Sequence, residues 1–162
     1  LLNALVLHVW SAITLKKRND AARPVAYERR DNIQASKPSY MMTLSGVTIL
    51  AFVLYHLAHY TLGIVDPISF KAAVTVAGVE YHDVYRMVVA GFSQPLNVAL
   101  YVVANILLGL HLHHSVSSMF QTLGVRVGGY KAMVDKIGPA VAVVVISGNL
   151  AIPIAVLAGI VR

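Results

Sequence analysis

Residues 95–119, PLNVALYVVANILLGLHLHHSVSSM, decide how this chain is read. The stretch opens on Pro95, holds no Asp, Glu, Lys or Arg, and carries a histidine at position 111. About 20 apolar residues suffice for a helix to cross the hydrocarbon layer of a bilayer. Proline suits the first turn of such a helix, where its missing N–H would have been unpaired in any case. A histidine at membrane depth is expensive, so its presence there is by default a functional clue.

Further apolar stretches lie on either side, at Met42–Gly63 and Ile137–Val161, with a shorter one at Leu1–Leu15. Of the whole chain, 57% of residues are hydrophobic and 12% are charged, and the mean hydropathy is +0.70. Soluble domains average about 45–50% apolar and about 25% charged residues, which places this chain in a membrane. The expected fold is all-α: a transmembrane helical bundle with four visible spans in one membrane-anchor domain over residues 1–162. Leu1–Leu15 is too short to cross alone, and its basic residues follow the apolar run where a signal peptide has them first. The expectation is that numbering starts inside a helix, with further chain upstream. Gly63 and Gly124 are expected stops beyond the second and third spans.

The absence of cysteine removes disulfides, covalent haem attachment and iron–sulfur ligation. The net charge of +6 does not point to nucleic acid, because the basic residues sit in the connections between spans. Loop 16–41 carries Lys16, Lys17, Arg18, Arg23, Arg29, Arg30 and Lys37 against three acids, and the last loop carries Arg126, Lys131 and Lys136 against Asp135. The positive-inside rule makes both cytoplasmic and puts loop 64–94 outside. The first loop, with Arg23-Pro24 and Lys37-Pro38, reads as an extended basic connection suited to anionic lipid or a cytoplasmic partner. In the outer loop, Asp66-Pro67 reads as a helix cap and first turn, and one or two short surface helices are expected.

Depth follows from a rise of about 1.5 Å per residue. His8 lies roughly 12 Å and His111 roughly 15 Å from the inner boundary, whereas His56 lies roughly 21 Å from it, in the outer half. Two neutral imidazoles at one level on different helices suit axial ligation of a haem iron. His8 and His111 are that pair. His56 then needs a partner, which the histidine-free fourth span does not supply, so a second haem is expected on His56 and a histidine upstream of residue 1. The ordinary alternative for any single intramembrane histidine is a packed, hydrogen-bonded core residue.

Around the inner level, His114, Ser11, Ser45 and Arg18 are candidate donors to haem propionates; serines at helix contacts are also simply small packing residues. Gly46 and Gly109 make room either for a macrocycle or for close helix approach. His59 with Tyr60 and His113 are expected to be interfacial, and His82 solvated.

Residues 101–124, YVVANILLGLHLHHSVSSMFQTLG, resemble the fourth helix of the diheme cytochrome b membrane anchor of succinate:quinone oxidoreductases, the succinate dehydrogenases, and their fumarate reductase relatives. SGVTILAFVLYHLAHYTLG from Ser45 is similar to the third helix of that family, and VLHVWSAITLKKRNDAARPVAY from Val6 to the end of its second helix and the loop after it. The resemblance implies five helices in the intact protein, His8 and His111 on a proximal haem iron, and His56 with the upstream histidine on a distal one. It implies two noncovalent haem b groups, menaquinone or ubiquinone as substrate, iron–sulfur and flavoprotein subunits as partners, and a multi-pass place in the cytoplasmic membrane. The chain would relay electrons in respiratory complex II without performing dicarboxylate chemistry itself. One departure is Thr43, where the family often has an arginine two residues before the Ser-Gly pair.

Competing readings are a quinol:fumarate reductase anchor, a cytochrome b anchor of another oxidoreductase such as a hydrogenase, a haem-free structural anchor and a small transporter. The lack of acids within the spans weighs against the transporter. Candidate quinone-site residues gather at both ends: Tyr60, His59, Asp66, Glu80 and His82 on the outer side, and Tyr27, Tyr40 and Ser45 on the inner.

Overall fold

A computed structural model describes residues 2–22, 25 and 36–162, and the chain falls into two compact units, Leu1–Gln34 and Ala35–Arg162. The first unit contains helix α1, Leu2–Ala21. It continues six residues beyond the expected end at Leu15, because Lys16 and Asp20, one turn apart, form an ion pair at 2.5 Å that solvates the extra turn. Those charges also keep α1 from presenting a span-length apolar window, so it is not among the helices that qualify as spans on their own. Arg23-Pro24 and Tyr27, read above as parts of the inner connection, lie outside the described residues.

In the second unit, three helices are long and apolar enough to cross a membrane. They are α3 (Met42–Tyr60), α6 (Pro95–Thr122) and α7 (Lys131–Leu157), the last preceded by a 3₁₀ turn at Gly128–Tyr130. A short helix α2, Lys37–Tyr40, leads into α3, so the expected extended connection is helical at Lys37-Pro38. Its proline occupies the first turn, the one place in a helix where no donor is lost. Gly63 and Gly124 follow α3 and α6 with φ of 63° and 71°, as expected of helix-ending glycines.

Helix α7 begins six residues before the expected Ile137. Its first turns are held by Asp135, which accepts from Lys131 Nζ at 2.8 Å and from Arg126 Nε at 2.6 Å. It runs unbroken through Pro139 and Pro153. Membrane helices tolerate such prolines because neighbouring groups re-satisfy the freed carbonyls.

Helix α6 packs against α3 on one side and α7 on another, and both neighbours run antiparallel to it. The α6–α7 seam uses small residues. Gly109 faces the end of the Ile146 side chain, and Gly138 sits on the carbonyl of His113 and the hydroxyl of Ser117. Asn149 Nδ2 donates to Asn105 Oδ1 at 2.9 Å, and Asn105 Nδ2 donates to the Tyr101 carbonyl at 2.8 Å. Small residues and amide bridges of this kind join helices where the surroundings are as apolar as the side chains. On the outward faces, Val144 is 71% exposed and Leu54 62% exposed. Apolar surface on this scale accompanies three helices that are long and apolar enough to cross a membrane.

The chain is mostly helical, as expected, and the segment between α3 and α6 adds a two-stranded hairpin to the short helices expected there. Helix α4 (Pro67–Phe70) is followed by an antiparallel hairpin of β1 (Ala73–Val76) and β2 (Val79–His82), then by α5 (Val84–Phe92). The cap at Asp66 is present. Its carboxylate accepts from the Ser69 N–H at 3.1 Å, and hydrogen bonding from Ser69 holds its carboxyl below the usual carboxylate range. Asp83 caps α5 in the same way, accepting from the Arg86 N–H at 2.9 Å.

The hairpin arises because AVTV and VEYH set Val74, Val76, Val79 and Tyr81, all strand formers, at alternate positions around Ala77-Gly78, whose φ values are 49° and 80°. Both central residues are therefore left-handed, the geometry of a two-residue I′ turn. Alanine is strained there by about 1–2 kcal/mol. Ala77→Asn should relieve this strain, and amide exchange of the hairpin N–H groups should slow several-fold relative to the parent; unchanged exchange would mean that the turn conformation does not limit hairpin stability.

At the α5 end of the second unit, Phe92, Val98, Tyr101 and Val156 form a buried cluster. Phe52, Tyr55 and Tyr60 of α3 pack on it. This knot ties α5 to all three long helices and fixes the register of α3 against α6.

Candidate functional site

Two histidines of the second unit are held by side chains of the facing helix. His111, on α6, has Nδ1 at 3.1 Å from the Ser45 hydroxyl of α3. Ser45 is completely buried, and its Oγ is also 3.1 Å from the Met42 carbonyl. A hydroxyl has one proton to give. The assignment that satisfies both contacts has Ser45 donating to Met42 and accepting from Nδ1–H of His111. Nε2 then carries the lone pair, which is the tautomer of a metal-ligating imidazole. Gly46 lies beside the ring, where a Cβ would stand 3.5 Å from His111 Cε1, an ordinary contact that alanine would also make.

His56, on α3, has Nδ1 at 3.0 Å from the Tyr101 hydroxyl of α6. The Tyr101 ring is 5% exposed and wedged edge-on against Phe52 at 4.7 Å and Phe92 at 4.8 Å. The hydroxyl is thus delivered by an immobile ring, while the imidazole of His56 lies on the exposed side of α3.

The two contacts are reciprocal: a histidine of α6 on a residue of α3, and a histidine of α3 on a residue of α6. They are also well apart. Ten residues separate Tyr101 from His111 and eleven separate Ser45 from His56. At about 1.5 Å per residue the two imidazoles stand on the order of 15 Å apart along the helices. The two imidazoles therefore stand at different levels, more than twice as far apart as the roughly 6 Å between their expected depths, because His111 lies level with Ser45 in the first turn of α3.

His8 is on α1, within the first unit, as are Ser11 and Arg18 on the same helix. His114 is half-buried on α6, one turn beyond His111. Of the two glycines considered for macrocycle space, Gly109 is taken by Ile146, which is the close-approach alternative. Among the described residues no group of three or more His, Cys, Asp or Glu gathers in the manner of a polydentate metal site. Axial ligation of haem needs only two side chains per iron, and the donor chemistry of His111 and His56 fits it.

Three further polar groups are buried. His59, in the last turn of α3, is 2% exposed and stacked on Tyr60 with centroids 4.0 Å apart. His59 Nδ1, the Tyr60 hydroxyl and His113 Nδ1 are buried and make no hydrogen bond among the described residues. The α5 segment covers Tyr60: Gly91 lies directly against its hydroxyl, and the Phe92 ring lies 5.6 Å from its ring. Sequence reading passed over Tyr101 and the Asn105–Asn149 pair. The signal for them is a hydroxyl or amide inside an otherwise apolar span, the same signal that singled out the histidines.

Compared with protein-family models, curated proteins and solved structures, the chain matches none.

Proposed function

We propose that the chain is a haem-b-carrying membrane anchor of a succinate:quinone oxidoreductase, with five spans in the intact protein. In this reading it relays electrons between cytoplasmic iron–sulfur and flavoprotein subunits and a membrane quinone, menaquinone or ubiquinone. The observation that carries the proposal is the reciprocal anchoring of His111 by Ser45 and His56 by Tyr101 at two levels. An imidazole whose Nδ1 is fixed by a protein group has its Nε2 oriented for coordination, and such outer partners tune both affinity and potential. The resemblance noted in the sequence supplies the specific assembly.

His8 and His111 would hold the proximal iron, and His56 with a histidine upstream of residue 1 the distal one. Haem b, when bound, supplies a one-electron carrier at each level. The chain does the rest. Ser45 keeps the His111 ring in one tautomer and orientation, and Tyr101 does so for His56, which requires Nδ1–H to donate to the tyrosyl oxygen. The Phe52–Tyr101–Phe92 packing excludes water from the hydroxyl that does this. Arg18, Ser11 and His114 remain the candidate donors to propionates. The basic residues flanking α1 and α7 put those ends on the cytoplasmic side of the membrane.

The test is to express the full-length chain with its partner subunits, purify the complex from membranes and count haem. The expected result is two noncovalent b haems per chain, both low-spin and bis-imidazole by electron paramagnetic resonance. Finding no haem overturns the proposal, and finding one removes the distal assignment.

A further inference from the structure

The hairpin between α3 and α6 has two unlike faces. Antiparallel register pairs Val74 with Tyr81 and Val76 with Val79, while Ala73 pairs with His82 and Thr75 with Glu80. Directly paired residues point to the same side of a sheet. One face is therefore Val74, Val76, Val79 and Tyr81, and the other Ala73, Thr75, Glu80 and His82. The second face touches the rest of its unit through His82, whose ring meets Phe70 of α4 edge-on at 5.0 Å. Both faces are otherwise open, and the four apolar side chains of the first are 43–56% exposed.

An isolated two-stranded hairpin is marginal in water, and an uncovered valine face makes it more so. We infer that this face lies on the lipid surface of the membrane, with the valines and Tyr81 at the level of the headgroups and upper acyl chains. Three observations name lipid as the occupant. The hairpin is tethered between the end of one apolar span, Tyr60, and the start of another, Pro95, so it cannot travel far from the bilayer edge. The approach to it is itself apolar and exposed, with Ile64 at 67% and Ile68 at 87%. Finally, the composition of the face matches the interface: aliphatic side chains joined by a tyrosine, whose ring is apolar and whose hydroxyl is wet. Lys71, exposed at the base of the hairpin, is placed to reach headgroup phosphates. This inference rests on the membrane spans and not on haem.

Residues 1–162 contain no cysteine, so each substitution adds one thiol of known position, and the unsubstituted complex labelled in parallel gives the signal of partner-subunit thiols to subtract. Val76→Cys and Thr75→Cys, adjacent but on opposite faces, are each spin-labelled in the intact complex in liposomes of zwitterionic and anionic lipid. Val144→Cys on α7 serves as the span control. Accessibility to oxygen relative to a water-soluble nickel chelate should be several-fold higher at position 76 than at 75, approaching the value at 144. Equal, water-like values at 75 and 76 with a lipid-like 144 overturn the inference while leaving the spans intact. Dipolar broadening at 76 that disappears on dilution with unlabelled chains assigns the face to a second copy and also overturns it. A water-like value at 144 removes the membrane reading, and this inference with it.

Discussion

Replacing His111 by alanine should remove one of two b-type haem signals from the reduced-minus-oxidised spectrum and leave the other in place. His56→Ala should do the reverse. Loss of an axial imidazole leaves an iron with one protein ligand, whereas loss of an outer partner typically costs about 10–100-fold in affinity. Ser45→Ala and Tyr101→Phe should therefore retain both signals, with a displaced midpoint potential at one haem each: the one shared with His111 for Ser45, and the one on His56 for Tyr101. Their readout is the potential, which a merely structural contact would not move selectively. His8→Ala provides the test of pairing. It should remove the same signal as His111→Ala, and the double variant should lose nothing further. If the two single variants removed different signals, or neither removed any, the ligand assignment would be wrong. A packed core histidine predicts lower stability and an unchanged spectrum.

The second large effect is expected at Gly138. A Cβ there runs into the backbone carbonyl of His113 and the Ser117 hydroxyl that donates to that carbonyl at 2.9 Å. A carbonyl within a continuous helix cannot swing aside, so α6 and α7 must separate. Overpacking of this kind costs about 1–3 kcal/mol, and here it acts on the seam that also holds Asn105 to Asn149. Gly138→Ala should lower the thermal unfolding midpoint in detergent by several degrees. Gly148→Ala is the control: nothing lies within 4 Å of a Cβ at that position, and alanine favours a helix over glycine by roughly 0.5–1 kcal/mol. It should be neutral or stabilising. Equal effects at the two positions would mean that the α6–α7 seam is not closely packed in the membrane.

Much of this architecture is local and could be read residue by residue. The three spans around His56, His111 and Asn149 announce themselves through uninterrupted hydropathy: the starts at Met42 and Pro95 fall where expected, and the other four ends differ by three to six residues. Charged turns account for the two extensions of six residues, at the end of α1 and the start of α7. Lys131 and Asp135 pair one turn apart and extend α7 backwards, and Lys16 with Asp20 extends α1 forwards. Such turns look like loop by composition and become helical by pairing. The hairpin escapes sequence reading because its strands are four residues each and its turn has alanine where asparagine or glycine would give the usual signal.

The histidines themselves were legible, since a polar ring in an apolar run stands out without any knowledge of its neighbours. Their partners were not. That Ser45 serves His111 and Tyr101 serves His56 depends on the register of two antiparallel helices, and a shift of one residue would turn each contact by about 100° around its helix. Closure around Tyr60 and around Gly109 has the same origin: Gly91 of α5 and Ile146 of α7 arrive from elsewhere in the chain. Hydropathy, charge and residue spacing are properties of a segment and were settled by the order of amino acids alone, which marks where apolar helices run and which imidazoles they carry. Which hydroxyl meets which imidazole, and which glycine admits which neighbour, was decided only when α3, α6 and α7 packed, because those choices depend on contacts between residues tens of positions apart.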